Sequence, residues 1–491
     1  MEKFDVVILG SGLGGMECGF ILAKSGYSVC VLEQNPQIGG CLQTFRRGGN
    51  TFDTGFHYIG GLGEGESLNR LFNYFGLMGL PWQKLDEDCF DEVILKGTSY
   101  KFASGHERFV ETLAQEFPHQ KSNLKQYSDF LQNVGDNLFH SFQTKDPSQL
   151  YDSPLFTRSA YDFLKETIDD PTLRNVLSGT ALKMELNAEK LPLYIFAQIN
   201  DSFIRSAWRI KGGGTQIIDS LAESIQKMGG SIRKKAKATR LIETDGKISA
   251  VEINGEEQIT ADYFISDIHP ARTLELIKES KRIRNIYRKR IDNLPNTYGI
   301  FTANISLKEN LIPYLNRNQY IYEKDNLWSC GQSQANRRTD RALVSYQMPE
   351  TGTFAKNIDI LTPMYWDEVK RWEGTEIMRR GKDYEQMKMQ KAEECIHLAS
   401  KHIEGLQDSI DKIYCSTPLT YADYTGTIQG SAYGIQKDRS QLMYTMLTPR
   451  TPIANLLLTG QNLNLHGILG VSVTSFFTCS EITGHQTLDF V

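Results

Sequence analysis

The sequence lacks most of the features that would assign it at a glance. Its eight cysteines (Cys18, Cys30, Cys41, Cys89, Cys330, Cys395, Cys415 and Cys479) nowhere stand in a C-x-x-C pair. Neither a zinc site, nor any other metal site, nor a disulfide framework is expected, and a reducing compartment fits best. No charge of one sign dominates, since 54 Lys and Arg stand against 59 Asp and Glu, a net charge of −5. A dedicated nucleic-acid binder carries a basic excess, so no nucleic-acid partner is expected. No run approaches the ~18 consecutive apolar residues of a membrane-crossing helix. The opening Met1-Glu2-Lys3-Phe4-Asp5 has no basic stretch ahead of an apolar one, so no signal peptide is expected and the setting reads as cytoplasmic. Internal repeats and low-complexity tracts are absent too.

What remains is an ordinary globular mixture, 40% hydrophobic and 23% charged over 491 residues, long enough to bury a large core. The 41 glycines are an ordinary total in an unusual placement: seventeen fall within the first 79 residues, and four more lie between Gly460 and Gly484.

The first cluster has a mechanical reading. Phe4–Leu9 is a short apolar run of strand type, Met16–Lys24 is helical and stops at Ser25-Gly26, and Tyr27–Leu32 is a second buried strand ending in Glu33. Between the first strand and the helix stands Gly10-Ser11-Gly12-Leu13-Gly14-Gly15, a G-x-G-x-x-G. Gly10 permits the turn off the strand, Gly12 lets backbone approach a pyrophosphate, and Gly15 lets helix and strand pack closely. The helix N-terminus offers free N–H groups and a positive dipole end. Glu33, at the end of the next strand, suits ribose hydroxyls and repels a 2′-phosphate. The pattern predicts dinucleotide binding by Gly10, Gly12, Leu13, Gly14, Gly15, Glu33 and the adjacent Gln34.

Gly39-Gly40-Cys41-Leu42-Gln43-Thr44-Phe45-Arg46 resembles the glycine-rich extension of FAD enzymes of the glutathione-reductase type. That resemblance implies FAD, with Gly39, Gly40, Cys41, Leu42 and Thr44 along the flavin and pyrophosphate. The next motif, Phe52-Asp53-Thr54-Gly55-Phe56-His57-Tyr58-Ile59-Gly60, resembles the phytoene desaturase, carotenoid isomerase and retinol saturase superfamily. Phe-Asp-x-Gly is shared across that superfamily, and the His-Tyr-Ile-Gly continuation is similar to its retinol saturase branch. The resemblance implies that Gly55 lies close to the isoalloxazine, with His57 and Tyr58 near it as the catalytic candidates. An ordinary histidine titrates near 6.5 and can act as a proton donor at neutrality; a histidine that only hydrogen-bonds the flavin edge is the equal alternative.

The second glycine cluster, Thr459-Gly460-Gln461-Asn462-Leu463-Asn464-Leu465-His466-Gly467-Ile468-Leu469-Gly470-Val471, resembles the C-terminal flavin loop of the same superfamily. Gly460, Gln461, Gly467, Gly470 and Val471 are the implied cofactor contacts. A helix starting at Gly470–Val471 would aim its positive end at the flavin. The superfamily commonly carries proline before the second glycine, where this chain has His466. Ser416–Tyr421 and Gly426–Gly434 resemble the region between substrate cavity and flavin, which makes Tyr421, Tyr424 and Tyr433 substrate-binding candidates beside the plainer reading of core packing. Lys211-Gly212-Gly213-Gly214 resembles the point of re-entry into the FAD domain. No second G-x-G-x-x-G with a following acid appears, so electrons are expected from a redox partner protein or from a transiently bound NAD(P)H.

These readings converge on an α/β chain, a Rossmann-type FAD-binding domain (glutathione-reductase-like) with an inserted mixed α+β substrate domain. Residues 1–75, 205–270 and 415–491 form the discontinuous FAD-binding domain, and residues 76–204 and 271–414 the substrate domain. The implied activity is saturation of a carbon–carbon double bond in a long apolar polyene or related lipid. A desaturase or cis–trans isomerase is the alternative on the same chemistry. Further from it stand an amine or porphyrinogen oxidase and a non-catalytic lipid escort protein. The stretch 278–290 holds seven basic residues and one acid, with Ile283, Ile286 and Tyr287 at helical spacing. It reads as a solvated helix face or as a basic amphipathic helix resting peripherally on an anionic membrane.

Overall fold

A computed structural model describes residues 2–138, 153–328 and 338–484. β1 (Glu2–Leu9), α1 (Leu13–Lys24) and β2 (Val29–Leu32) make the opening βαβ unit. A hairpin of β3 (Thr44–Arg47) and β4 (Asn50–Asp53) follows, then β5 (Ile59–Gly60), β6 (Trp82–Lys84), β7 (Asp91–Leu95) and β8 (Thr98–Phe102). The next stretch is mainly helical, with α2 (His106–Glu116), α3 (Lys121–Asp136), α4 (Ala160–Thr167) and α5 (Leu193–Arg205). β9 (Ala207–Ile210) and α6 (Thr215–Lys227) return the chain to its first sheet through β10 (Ser231–Arg233), β11 (Ala238–Thr244), β12 (Lys247–Ile253) and β13 (Glu257–Ser266). After α7 (Asn285–Asp292) come β14 (Gly299–Leu307), β15 (Asn318–Tyr322), β16 (Arg341–Tyr346), β17 (Asn357–Met364), α8 (Lys382–Ser400) and β18 (Ile410–Ser416). α9 (Pro418–Thr425), β19 (Leu456–Leu458) and α10 (Gly467–Thr483) close the described chain.

One seven-stranded sheet runs β10-β2-β1-β13-β12-β11, with β19 also on β13. The pairs among β10, β2, β1, β13 and β19 are parallel. Their runs Val6–Leu9 and Val29–Leu32 are buried throughout, as a parallel sheet covered on both faces requires. The β12–β13 turn is Asn254-Gly255, both left-handed at φ +54° and +79°, the hairpin that Asn-Gly favours. α1 packs along α10, and between them the buried Glu17 accepts hydrogen bonds from Ser472 Oγ at 2.6 Å and Ser475 Oγ at 3.1 Å.

The second seven-stranded sheet runs β18-β14-β17-β16-β15-β7-β8 and is antiparallel except at β15–β7. Alternation along its strands divides its two faces. Ile321, Val344 and Ile360 pack in one apolar cluster with Ala392, Cys395 and Ile396 of α8. Tyr320, Leu343 and Leu361, each one residue away, point the other way and line a cavity between the two sheets.

α8 begins at Lys382, because Gly381 stands at φ +98° and cannot continue a helical turn. Cys330 lies outside the described residues. The C-terminal helix starts one turn before Gly470, at Gly467. In the basic stretch only α7 is helical; ahead of it Ser280 Oγ accepts from Arg282 N at 3.0 Å and Ile283 N at 2.9 Å, a turn that competes with helix. Ile283 is consequently buried while Ile286 is 78% exposed, so the two share no apolar face. Among the described residues no helix is long and apolar enough to cross a membrane, and the seven described cysteines are free thiols.

Candidate functional site

The βαβ turn builds one end of the site. Ser11 Oγ donates to Glu33 Oε2 at 2.5 Å, and Asn35 N donates to Glu33 Oε1 at 2.8 Å, which locks the carboxylate at the end of β2. Ser11 Oγ also accepts from Gly39 N at 3.2 Å, tying the two glycine loops together. A side chain on Gly12 or Gly14 would put its Cβ only 2.5 or 2.6 Å from the Asp267 carboxylate. Asp267 itself sits at the N-terminus of α1, accepting from the Gly15 N–H. A carboxylate thus occupies the place where helix dipole and free N–H groups attract an anion. Burial, and the nearby Glu33 charge, push Asp267 up to about 7 despite that hydrogen bond. The glycine-lined cradle leaves room for the phosphates of a dinucleotide beside an Asp267 that holds a proton below about 7, and Glu33 fits its ribose.

From this end a single cavity of about 710 Å³ runs past Gly460 and Gly55 to an apolar chamber against the second sheet. It is lined by Gly10, Gly12, Leu13, Gly14, Glu33, Gln34, Gly39, Gly40, Cys41, Leu42, Gly55, His57, Tyr58, Gly460, Gln461, Gly467 and Val471, together with Tyr421, Tyr424 and Tyr433. Gly15, Thr44 and Gly470 are not on the wall. A Cβ on Gly15 would run into the Gly10 carbonyl and one on Gly470 into the Leu465 carbonyl, so both serve close packing behind it. Thr44 pairs with Asp53 across the β3–β4 hairpin and packs against Gly213. There the two superfamily-like motifs meet, since Gly214 N donates to Asp53 Oδ1 at 2.7 Å. Of the three tyrosines, Tyr424 is 46% exposed with its carbonyl accepting from Asn35 Nδ2, toward the Glu33 end. Tyr421 donates to Thr54 O at 2.7 Å and Tyr433 to Leu182 O.

His57 departs from the behaviour of an ordinary histidine. Burial, aided by the Arg209 charge, lowers its pKa to about 4, so at neutrality the ring is not a cationic acid. Its Nδ1 lies 3.6 Å from Asp359 Oδ2. Burial pushes Asp359 up to about 7, against Asn304 Nδ2, which donates to it at 2.6 Å. Both partners are driven toward their neutral forms, and the contact is no ion pair. His57 Nε2 is buried without a hydrogen-bond partner, on a residue that lines the cavity. Such an orphaned polar atom calls for a ligand.

Tyr58 belongs to a second group. Its hydroxyl donates to Asp91 Oδ2 at 2.8 Å and lies 2.5 Å from the Tyr320 hydroxyl. Lys183 Nζ donates to the same Asp91 oxygen at 2.9 Å, and Asn318 Nδ2 to the other at 2.9 Å. Burial, then the Asp91 charge, raise the Tyr58 pKa well above its ordinary value; burial lowers that of Lys183 although Asp91 opposes it. His466, at the head of α10, is held near 4 by burial and bonds the Lys183 carbonyl at 3.0 Å.

Glu33, His57, Tyr58 and most of the glycines expected from the sequence come together along this one cavity. Asp267, Asp359, Asp91, Lys183 and Tyr320 were not among the expected residues. Asp267 alone carried a signal, its place just past the end of a parallel strand, where such sheets bind ligands.

The pattern of an NAD(P)-binding Rossmann-like domain matches residues 8–75. An all-trans-retinol 13,14-reductase of Danio rerio is 26% identical over 99% of this chain and 87% of its own length. From end to end the chain is similar to retinol reductases. A chloroplastic prolycopene isomerase of Daucus carota is 24% identical over 88% of this chain and 72% of its own length. Both likenesses agree with the superfamily resemblance carried by the glycine loops and the His-Tyr-Ile-Gly motif. A solved structure of a putrescine oxidase variant superposes with a TM-score of 0.68 at 14% identity, over 98% of this chain and 99% of that one; at that identity it shows a shared fold.

Proposed function

We propose that this protein is an FAD-dependent oxidoreductase that saturates a carbon–carbon double bond in a long apolar polyene of the retinoid or carotenoid kind. The observation that carries the reading is the continuity of the cavity, from a Glu33 carboxylate and a glycine-lined anion cradle to an apolar chamber. The end-to-end likeness to retinol reductases supports it. In this reading residues 1–75, 205–270 and 415–491 hold the cofactor, and residues 76–204 and 271–414 enclose the polyene.

Saturating an alkene needs a hydride and a proton, and bound flavin supplies the hydride. The proton falls to the protein. His57 holds one on its unpartnered Nε2 toward the cavity when Nδ1 faces Asp359. Asp359, protonated below about 7, can refill Nδ1 as Nε2 gives its proton up, so the imidazole relays without becoming a stable cation. Tyr58, clamped between Asp91 and Tyr320, positions the wall beside it. Fresh electrons come from NAD(P)H or a redox partner protein.

The test is anaerobic. The FAD-loaded protein is reduced with dithionite and mixed with all-trans-retinol. Return of the oxidised-flavin band together with a dihydro product is expected; an unchanged reduced spectrum with unchanged retinol overturns the reading. The likeness to prolycopene isomerases makes cis–trans isomerisation the second reading, marked by a change in polyene geometry while the flavin stays reduced.

A further inference from the structure

Where the cavity meets the second sheet, its wall carries a polar group, Lys183 with the Tyr58 and Tyr320 hydroxyls, that the hydride and proton steps proposed above do not use. Lys183 has a side chain 7% exposed and Asp91 one that is 0% exposed. A buried ion pair is costly unless both partners are fully hydrogen-bonded. Asp91 meets that condition, with Lys183, Tyr58 and Asn318 all donating to it. Lys183 does not. An ammonium has three donors, and among the described residues Asp91 Oδ2 is the single acceptor the structure gives Lys183 Nζ. Its other sides face aromatic rings, with Phe203 3.8 Å and Tyr58 5.0 Å from ammonium to ring centroid. Lys183, Tyr58, Tyr320 and Phe203 all line the cavity, beside Leu343 and Leu361.

We propose that Lys183, with the Tyr58 and Tyr320 hydroxyls, forms an end-group subsite that accepts the oxygen of an alcohol- or aldehyde-terminated polyene and discriminates against pure hydrocarbons. The inference rests on the reading of this cavity as a polyene site and deepens it by naming the substrate's end. The bound oxygen accepts from Lys183 Nζ, and a ligand hydroxyl donates in turn to a tyrosine oxygen. Asp91 holds the ammonium and Tyr58 in place without touching the ligand, as a positioning residue. A hydrocarbon end would cover the ammonium and leave its donors unpaired, which is how a polar subsite rejects an analogue lacking the polar atom.

The test compares all-trans-retinol with its deoxy analogue, in which a methyl group replaces the terminal CH2OH. Binding to the oxidised, FAD-loaded protein is read from ligand fluorescence, with no turnover required. The wild type is expected to bind retinol at least ~10-fold more tightly than the analogue. In the charge-balanced double variant K183M/D91N the preference should shrink to about twofold or less. Y320F, a milder change, should reduce it in part. Equal binding of the two ligands by wild type, or an undiminished preference in a folded K183M/D91N, overturns the subsite. Should the double variant fail to fold, the wild-type comparison and Y320F decide. If neither ligand binds and neither reoxidises the reduced protein, the polyene reading itself has failed; if both bind alike and both are reduced, only the subsite has.

Discussion

At the scale of single residues the proposed reaction turns on a neutral pair, His57 and Asp359. Asp359 faces His57, Asn304, Asp53 and Arg209, and the balance of burial and these neighbours leaves it titrating near 7. Its raised pKa means the proton is present below about 7 and lost above. Single-turnover polyene reduction should therefore slow as pH rises through about 7. In D359N that limb should flatten while the rate at low pH drops, by ~10²-fold or more if the relay supplies the proton. Asp53 titrates in the same range and its charge helps raise Asp359, so D53N should move the limb to lower pH without abolishing it. Glu33→Ala removes the acceptor for ribose hydroxyls and leaves Ser11 Oγ without its partner; FAD should dissociate ~10–100-fold more readily, measured by release of flavin fluorescence. The reasons Glu33 was readable and Asp359 was not are physical. A glycine turn and a strand-end acid are demanded by local backbone geometry at fixed spacing. Asp359 and His57 are brought together by β17 crossing behind the flavin-type loop, 302 residues later in the chain, and no local pattern encodes that meeting.

At the scale of elements the α1–α10 contact carries a titratable clasp. Glu17 is buried between the two helices and pushed up to about 8 by desolvation, with Ser472 and Ser475 opposing. Between its ordinary 4.5 and about 8 the folded chain keeps a proton that the unfolded chain has released. Its contribution to stability is complete below about 4.5 and is lost as pH climbs to about 8. Glu17→Gln keeps the shape and removes the titration, so its unfolding free energy in urea should fall less between about pH 5 and pH 8 than that of wild type, by ~1 kcal/mol or more. Elements were legible to the extent that their period is local. The βαβ opening and the Asn-Gly hairpin could be read directly. The second sheet is not local in this sense, because its order rests on β14–β17 and β14–β18 pairing across the whole insertion. The start of α8 turns on one residue, Gly381, whose left-handed φ ends any helical turn arriving from its N-terminal side.

At the scale of the molecule, a basic surface sits beside exposed apolar side chains. Lys281, Arg282, Arg284 and Lys289 are exposed around Ile286, and Arg290 of α7 donates to the carbonyls of Met443 and Tyr444, themselves 69% and 58% exposed. Contact with an anionic bilayer through 278–290 remains our proposal on this charge and exposure. Sedimentation with phosphatidylserine vesicles should show binding that fades between low and physiological salt and is lost in I286D/K289E; salt-insensitive or absent binding counts against it. The sheet that carries the glycine loops has another consequence. Its central strand β1 waits for β13, and β13 for β19, while Glu17 of α1 finds its serines 455 and 458 positions downstream. During synthesis, then, the first helix must remain without its clasp until nearly the last helix has emerged. This is a topology of high contact order, slow to close and exposed to aggregation in the interval. If flavin binds as proposed, between the loops around Gly12 and Gly460, it would act as the late fastener of that closure, and supplying it during expression should raise the yield of folded protein.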